Sequence, residues 1–159
     1  MPTFKRILVP VDFSPCSHAA LEYAVTVAEQ FGASIQVLHV WTPPRYIGPT
    51  AALEGIVNPP TTLAEDAYAT VSQQMEEFLA PFQKEGRVKL RTQFEAGEPY
   101  DTILESANGG VYDLVAMGTH GRTGISRLVM GSVAEKVVRN SRFPVLTVRT
   151  PQTTIGVPS

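Results

Sequence analysis

Three glycines and a serine in the C-terminal third of the chain have the spacing of a loop that wraps an anion. Gly118 and Gly121 follow the apolar run 114–117, and after nine intervening residues Gly131 and Ser132 open an amphipathic segment. Glycine lets backbone N–H groups approach a bulky ligand and adopts positive φ at no steric cost. The free N–H groups and the dipole of a helix start favour phosphate. The pattern predicts a strand, a phosphate-wrapping loop and a helix; the alternative is a glycine-rich turn that only joins two elements.

A polar residue that could serve the same site is Asp12, which follows the apolar run 7–11. Continuous apolar runs are typical of parallel strands that are buried on both faces. After Asp12, Ser14 is a good N-cap and Pro15 a good first helical residue, and Gly32 should end that helix. Asp12 could contact a ligand, or it could cap this helix or tie down the loop.

Strands and helices should alternate along the whole chain, with Pro81 bending or ending the second helix. The apolar runs predict strands at residues 7–11, 35–41, 88–94, 112–117 and 144–149. This alternation predicts an α/β fold, namely a single doubly wound, Rossmann-like parallel sheet of five strands in the order 3-2-1-4-5, with helices on both faces. Ligands of such sheets bind where the strand order reverses, here between strands one and four. Asp12 and Gly118 should therefore meet at one crevice.

The composition indicates one globular domain and argues against several classes of protein. The 159 residues can bury a real core, and a net charge of −2 with 18% charged residues argues against a general nucleic-acid binder. The single cysteine, Cys16, excludes an intramolecular disulfide and a cysteine zinc cluster. The sequence shows no apolar leader and no long apolar span, so we expect a cytoplasmic protein that does not enter a membrane.

Charge is concentrated beside the glycine pattern. Between residues 118 and 149, six Lys and Arg residues stand against one acidic residue. This basic segment suits a polyanionic small ligand, although solvated helix charges are the ordinary explanation. The chain has neither a G-x4-G-K-[ST] loop nor a G-x-G-x-x-G fingerprint, so neither a P-loop NTPase nor a dinucleotide dehydrogenase is supported.

The glycine pattern resembles that of a known family. Gly118, Gly121, Gly131 and Ser132 match the G-x2-G-x9-G-[S/T] motif of the ATP-binding branch of the universal stress protein family, and the likeness extends from residues 5–12 to residues 144–148. The resemblance implies an adenine nucleotide alpha hydrolase-like fold over residues 1–150. It also implies that the chain binds ATP together with Mg²⁺.

The same resemblance implies a set of nucleotide-contacting residues. Pro10 and Val11 would shape the wall against the nucleoside, and Asp12 would bind ribose hydroxyls or reach the phosphates through Mg²⁺. Val40 would offer its backbone to adenine, although it could be plain core, and Met117 would line the pocket while packing in the core. The implied set is Pro10, Val11, Asp12, Val40, Met117, Gly118, His120, Gly121, Arg122, Gly131, Ser132 and Val133, with Asp12 also as the metal contact.

The histidines and arginines near the pattern have competing interpretations. His120 lies inside the glycine loop, where it could meet a phosphate, whereas His39 should be a satisfied core histidine and His18 a boundary residue. Arg122 or Arg127 could reach a β- or γ-phosphate with its guanidinium group, or either could be solvated. Scattered in this way, the three histidines form no recognisable metal set.

The expected function is that of a nucleotide-binding regulatory module that acts during stress through unidentified protein partners. Two alternatives remain, a slow ATP hydrolase and an interaction protein that needs no nucleotide. A hydrolase needs a group that positions the attacking nucleophile, and Asp12 and His120 are the only evident candidates.

Three further expectations concern the edges and loops of the domain. The proline-rich insertion at residues 42–61 is either a lid or partner surface, or a variable loop without function. Residues 151–159 should form a flexible tail. Residues 144–149 form an apolar edge strand that invites pairing, and the resemblance implies a homodimer through this strand; folding of the tail over the edge is the alternative.

Overall fold

The computed structural model describes residues 3–42, 61–121 and 129–150. Within these ranges, five strands and four helices alternate: β1 (Arg6–Pro10), α1 (Pro15–Phe31), β2 (Ser34–Trp41), α2 (Thr61–Glu85), β3 (Leu90–Ala96), α3 (Pro99–Gly109), β4 (Leu114–Gly118), α4 (Ser132–Asn140) and β5 (Val145–Val148). All strand pairs are parallel, and the order is β3-β2-β1-β4-β5. The predicted fold class and strand order are confirmed.

Helices cover both faces of the sheet because successive side chains of each strand alternate between the faces. Ile7 and Val9 of β1 pack into a cluster with residues of α1 and α2. Leu8, between them, packs on the opposite face with residues of α3 and α4. β1 lies centrally, pairing with β2 on one side and β4 on the other. The reversal of strand order therefore falls between β1 and β4, as predicted.

The predicted ends of α1 are also confirmed. Ser14 is the N-cap, its Oγ accepts a hydrogen bond from Ser17 N at 3.2 Å, and Pro15 is the first helical residue. Gly32 ends the helix in the left-handed region with φ of 65°, where a side chain would be strained.

Several element boundaries differ from the prediction, among them the end of α2 and the start of β3. α2 continues through Pro81 to Glu85, although proline removes one helical hydrogen bond. Apolar side chains on both sides of the proline, Leu79 and Phe82, pack on the same core cluster and hold the helix across it. β3 begins at Leu90, two residues later than predicted, where its register with β2 begins.

β5 lies at one edge of the described sheet. The carbonyl of Val148 faces β4, because it accepts the N–H of Thr119 at 2.9 Å. Backbone groups alternate in direction along a strand, so Val145 and Thr147 direct their N–H and C=O groups away from β4. The side chains of Leu146 and Val148 pack beneath α1. The outer edge of β5 therefore carries the N–H and C=O groups of Val145 and Thr147, which β4 does not pair, while the apolar side chains of the strand pack in the core.

Several predictions concern residues outside the described ranges. They are the insertion at residues 42–61, apart from its two end residues, the tail at residues 151–159, and Arg122 and Arg127 of the glycine loop. None of the described helices has the length and apolar character needed to cross a membrane.

Candidate functional site

The turn between β1 and α1 forms the first wall of the candidate site. Val11 extends the pairing of β1, since its N–H donates to the carbonyl of Leu38 at 2.8 Å. Asp12 follows, and its Oδ1 accepts the backbone N–H of Ser14 at 3.0 Å. This contact ties down the loop, which is one of the roles predicted for Asp12, and it orients one oxygen of the carboxylate.

Phe13 occupies a strained position in this turn. Its φ of 64° is the only positive φ of a non-glycine residue in the described ranges, and for a bulky side chain this costs on the order of 1–3 kcal/mol. The ring stacks on His39 with a centroid distance of 4.4 Å and an interplanar angle of 27°. His39 Nδ1 lies 2.8 Å from the carbonyl of Val11, to which it must donate. His39 is thus the satisfied core histidine that was predicted, and it braces the strained turn.

The glycines at the end of β4 are needed because a side chain would collide with the first wall. A Cβ on Gly118 would lie 2.8 Å from Cys16 Sγ and 3.0 Å from the Cys16 carbonyl carbon. A Cβ on Gly121 would lie 2.8 Å from Asp12 Oδ2. Neither of these glycines, nor Gly131, has positive φ. The expected use of positive φ is therefore wrong for this motif, and close approach of the backbone is the reason for glycine.

Thr119 connects the two halves of the glycine motif. Its carbonyl accepts the N–H of Gly131 at 2.7 Å, and its N–H donates to Val148. A Cβ on Gly131 would approach the same carbonyl to 3.0 Å. The side chain of Thr119 is 3% exposed, and its Oγ1 lies 2.8 Å from His120 Nδ1. A buried threonine thus joins the two described ends of the loop and orients its histidine.

The start of α4 has backbone donors that the helix itself does not pair. Gly131 is the N-cap and has no side chain to cap the helix. The first bond of the helix runs from Glu135 N to the carbonyl of Gly131 at 3.0 Å. The N–H groups of Ser132, Val133 and Ala134 precede this bond, so they have no partner within the helix. Together with the helix dipole they can bind an anion.

A cavity of about 250 Å³ lies between these walls, at the carboxyl ends of β1 and β4. It brings together every predicted contact residue within the described ranges, and only Arg122 falls outside them. These lining residues are Pro10, Val11, Asp12, Val40, Met117, Gly118, His120, Gly121, Gly131, Ser132 and Val133.

Six lining residues were missed by the sequence analysis: Ser17, Leu38, Pro99, Ile103, Thr119 and Ala134. Thr119 and Ala134 lie inside or next to the motif and could have been included by position alone. Pro99 and Ile103 come from α3, and no local pattern indicates that this helix reaches the cavity. Leu38, Val40, Pro99, Ile103 and Met117 make one part of the lining apolar, whereas the glycine loop and Asp12 make the other part polar.

The described cations of the basic segment do not line the cavity. Lys136 Nζ lies 5.0 Å from the ring centroid of Tyr100. Arg139 pairs with Glu135 at 3.0 Å on the exposed face of α4. These two side chains are therefore solvated charges on the helix, which is the ordinary explanation of the basic segment. Anion binding by the described residues would rest on backbone N–H groups and His120.

Among the described residues, no group of three or more His, Cys, Asp or Glu side chains could hold a metal ion. Asp12 is the only acidic residue that lines the cavity within those ranges. A divalent cation at this site would therefore need most of its ligands from a bound molecule and from water. This is how Mg²⁺ commonly binds, with one or two carboxylates and the phosphates of a substrate.

The fold and the cavity define an open, doubly wound α/β protein with a ligand-sized pocket at its topological switch point. The family model described as the universal stress protein family matches residues 3–149. The chain is also 32% identical over 149 residues to Universal stress protein MJ0531 of Methanocaldococcus jannaschii, an alignment that covers 94% of this chain and 84% of that protein. The chain belongs to the universal stress protein family.

Solved structures share the fold. The universal stress protein UspA from Lactobacillus plantarum is similar with a TM-score of 0.76 and 27% identity, over 94% of this chain and all of that one. A universal stress protein family protein from Arabidopsis thaliana, whose crystal structure has AMP bound, is similar with a TM-score of 0.62 and 20% identity, over 98% of this chain and 97% of that one. The second likeness shows the fold alone.

Proposed function

We propose that this protein binds an adenine nucleotide, ATP with Mg²⁺, in the cavity at the carboxyl ends of β1 and β4. One observation carries the proposal: a ligand-sized cavity joins an apolar part to a polar part that ends at the free N–H groups of α4. The presence of AMP in a family structure supports an adenylate as the ligand class.

The two parts of the lining suggest how the nucleotide would lie. Adenine would enter the apolar part, where Val40 near the end of β2 could offer backbone groups and Met117 also lines the cavity. The phosphates would lie along the glycine loop, where Gly118, Gly121 and Gly131 leave the backbone without a Cβ. The N–H groups of Ser132 and Val133 would bind phosphate oxygens, aided by the dipole of α4.

Asp12 would bind the ribose hydroxyls or take part in holding Mg²⁺. Its carboxylate stands at the end of β1, positioned by the N–H of Ser14. A carboxylate next to phosphates repels them unless a hydroxyl or a cation lies between. With no preformed metal cluster among the described residues, the cation would enter as a complex with the nucleotide. The bound ion would neutralise phosphate charge.

The test is direct binding with matched glycine variants. Native mass spectrometry of the purified protein should show a mass increment of ATP or ADP, and calorimetry should give saturable ATP binding. Gly121→Val should abolish it, because a Cβ there meets Asp12 Oδ2 at 2.8 Å. Gly109→Val at the end of α3 is the matched control, since its Cβ would have no neighbour within 4 Å. A wild type without an increment and without saturable heat would defeat the proposal.

We further propose that nucleotide binding regulates the protein during stress, through partners that this sequence does not identify. ATP is abundant in the cytoplasm, so the proposal implies a cytoplasmic location. The slow hydrolase remains the alternative with a specific residue behind it, because His120 lines the cavity. The nucleotide-independent interaction protein would be supported by loss of ATP binding without loss of partner binding.

We also propose a homodimer through the outer edge of β5. The backbone groups of Val145 and Thr147 point away from β4, so a second copy can pair there about a twofold axis. Thr147→Pro removes one outward N–H without touching the pairing with β4, and proline is tolerated on edge strands. Sedimentation equilibrium should show a wild-type dimer and a monomeric variant. A monomeric wild type, or a dimeric Thr147→Pro variant, would contradict the proposal.

A further inference from the structure

The hydrogen bond between Thr119 and His120 is a feature of the cavity that the proposed function does not yet use. Thr119 Oγ1 lies 2.8 Å from His120 Nδ1, and Thr119 is 3% exposed. His120 lines the cavity. Its other ring nitrogen, Nε2, is fully buried and has no hydrogen-bond partner among the described residues. Buried polar atoms are rarely left unpaired, so this nitrogen requires an explanation.

The direction of the Thr119–His120 bond follows from the surroundings of the hydroxyl. Among the described residues, two side-chain atoms could accept the proton of Thr119 Oγ1, namely His120 Nδ1 and Cys16 Sγ. Cys16 Sγ is 4.0 Å away, is a weak acceptor, and lies 3.1 Å from the Val148 carbonyl, to which its own S–H donates. The imidazole nitrogen at 2.8 Å is the far better acceptor. The Thr119 hydroxyl therefore donates to Nδ1.

This direction fixes the tautomer of His120. A neutral imidazole carries one proton, and a nitrogen that accepts a hydrogen bond cannot also hold it. The proton must be on Nε2, so the unpaired buried atom is a donor. Asp12 is the only charged residue that lines the cavity within the described ranges, and Ser132 and Val133, whose N–H groups have no partner within α4, line the same cavity. A donor in such a place is suited to an anionic oxygen.

We infer that Thr119 holds His120 as its Nε2–H tautomer so that this N–H donates to a phosphate oxygen of the bound nucleotide. The inference rests on the proposed function and adds a specificity determinant to it. His120 contacts the ligand, and Thr119 is a positioning residue that acts through His120. The pair would favour phosphorylated ligands over the bare nucleoside, because only a phosphate supplies the anionic acceptor.

The tautomer can be tested without any nucleotide. Long-range ¹H–¹⁵N correlation spectra of the ¹⁵N-labelled protein, recorded where imidazole is neutral, distinguish the Nε2–H form from the Nδ1–H form. The His120 signals are assigned by their loss in His120→Gln. We expect the Nε2–H form in the wild type and in Thr119→Ser, and a mixture or the Nδ1–H form in Thr119→Val. A wild type in the Nδ1–H form would overturn the inference.

Ligand binding supplies the second test. His120→Leu should weaken ATP binding by on the order of 10- to 100-fold, the usual loss for a hydrogen bond to a charged group, and it should weaken adenosine binding much less. His120→Gln, whose amide nitrogen can replace Nε2, should recover most of the affinity. Thr119→Val should reproduce the loss and Thr119→Ser should not. His18→Leu is the matched control, because His18 is not among the residues that line the cavity.

The outcomes separate this inference from the proposed function. If the wild type binds ATP and His120→Leu binds it equally well, the inference is wrong and the nucleotide site stands. Equal losses for ATP and adenosine would also overturn it, since they would indicate a general distortion of the pocket. If the wild type binds no nucleotide, the proposed function fails, and the tautomer measurement still decides whether Thr119 sets the protonation of His120.

Discussion

Replacing Gly118 and Gly121 with alanine should separate a folding role from a binding role within one motif. A Cβ on Gly118 would stand 2.8 Å from Cys16 Sγ, 3.0 Å from the Cys16 carbonyl carbon and 3.1 Å from Cys16 Cβ. The sulfur could rotate away, but the other two atoms belong to the backbone and the base of the side chain. β4 and α1 must therefore move apart, and the protein should lose stability in the absence of any ligand.

The size of this loss follows from two opposing effects. Forcing an extra methyl group into a packed contact costs about 1–3 kcal/mol. Replacing glycine by alanine at a φ that alanine tolerates returns about 0.4–1 kcal/mol, because the unfolded chain loses entropy. The central values leave a net destabilisation of about 1.3 kcal/mol for Gly118→Ala. In a domain of this size that lowers Tm by roughly 3–5 °C.

Gly121→Ala should behave differently. The only neighbour of its added methyl group is Asp12 Oδ2 at 2.8 Å, and a carboxylate at the end of a side chain can swing away. The Tm without nucleotide should therefore stay within about 2 °C of wild type. Affinity for ATP should fall, because Asp12 has moved and the backbone of the loop is covered.

The assay is a thermal melt without nucleotide, followed by calorimetry with Mg·ATP, with Gly109→Ala as the control for glycine replacement. Gly109 has no neighbour within 4 Å of an added Cβ, so that variant should keep both stability and affinity. The reasoning is refuted if Gly118→Ala melts with the wild type. It is equally refuted if Gly121→Ala is destabilised as much as Gly118→Ala.

Three further predictions concern charge, pH and turnover. Ser132→Asp should stabilise α4 by about 0.3–1 kcal/mol through the helix dipole, and the added charge should weaken ATP binding at least about tenfold by repulsion. Asn140→Asp, at the other end of α4, should destabilise the protein and leave its affinity for ATP unchanged. If the two variants behaved alike in thermal melts and in calorimetry, this prediction would be wrong. Burial raises the pKa of Tyr112 above its ordinary 10.0, against a smaller opposing effect of Arg6. Because the folded protein keeps the proton of Tyr112 up to a higher pH than the unfolded chain does, the free energy of unfolding should fall as pH rises above about 10. In that pH range the Tyr112→Phe variant should lose less stability than the wild type. The difference between the titration curves of the wild type and Tyr112→Phe gives the pKa of Tyr112, and a midpoint at or below 10 would be inconsistent with its burial. Multiple-turnover hydrolysis of Mg·ATP should be far slower than about 1 s⁻¹, and an enzyme-like rate that disappears in His120→Gln would instead establish the hydrolase.

The parts of the fold that follow local rules could be predicted from the sequence. Apolar runs and helical stripes identify the elements, and their alternation sets the strand order, because parallel strands need crossover helices. Ser14 and Gly32 mark the ends of α1 through their own chemistry. The site could be located because the switch point depends only on strand order. Because Asp12 follows β1 and Gly118 ends β4, the strand order alone predicts that both lie at one crevice.

The parts that depend on tertiary contacts could not be predicted. Nothing local indicates that Phe13 adopts positive φ, since the stack on His39 that holds it comes from a different strand. Pro81 stays inside α2 because the core holds the helix on both sides of it. The contribution of Pro99 and Ile103 to the cavity depends on how α3 packs over β2. These are consequences of packing between elements distant in sequence.

Because Cys16 is buried, its reactivity can report local opening of this protein. Cys16 is the only cysteine of the chain and is 3% exposed. Its S–H donates a hydrogen bond to the carbonyl of Val148, next to Gly118. A thiol reagent can reach it only when α1 and β4 separate, so the labelling rate of the unmodified protein measures how often that contact breaks. No engineered label is needed, and the reaction is followed at a single site. The labelling kinetics of this one sulfur atom can therefore show whether α1 separates from β4 by itself or only when the whole domain unfolds.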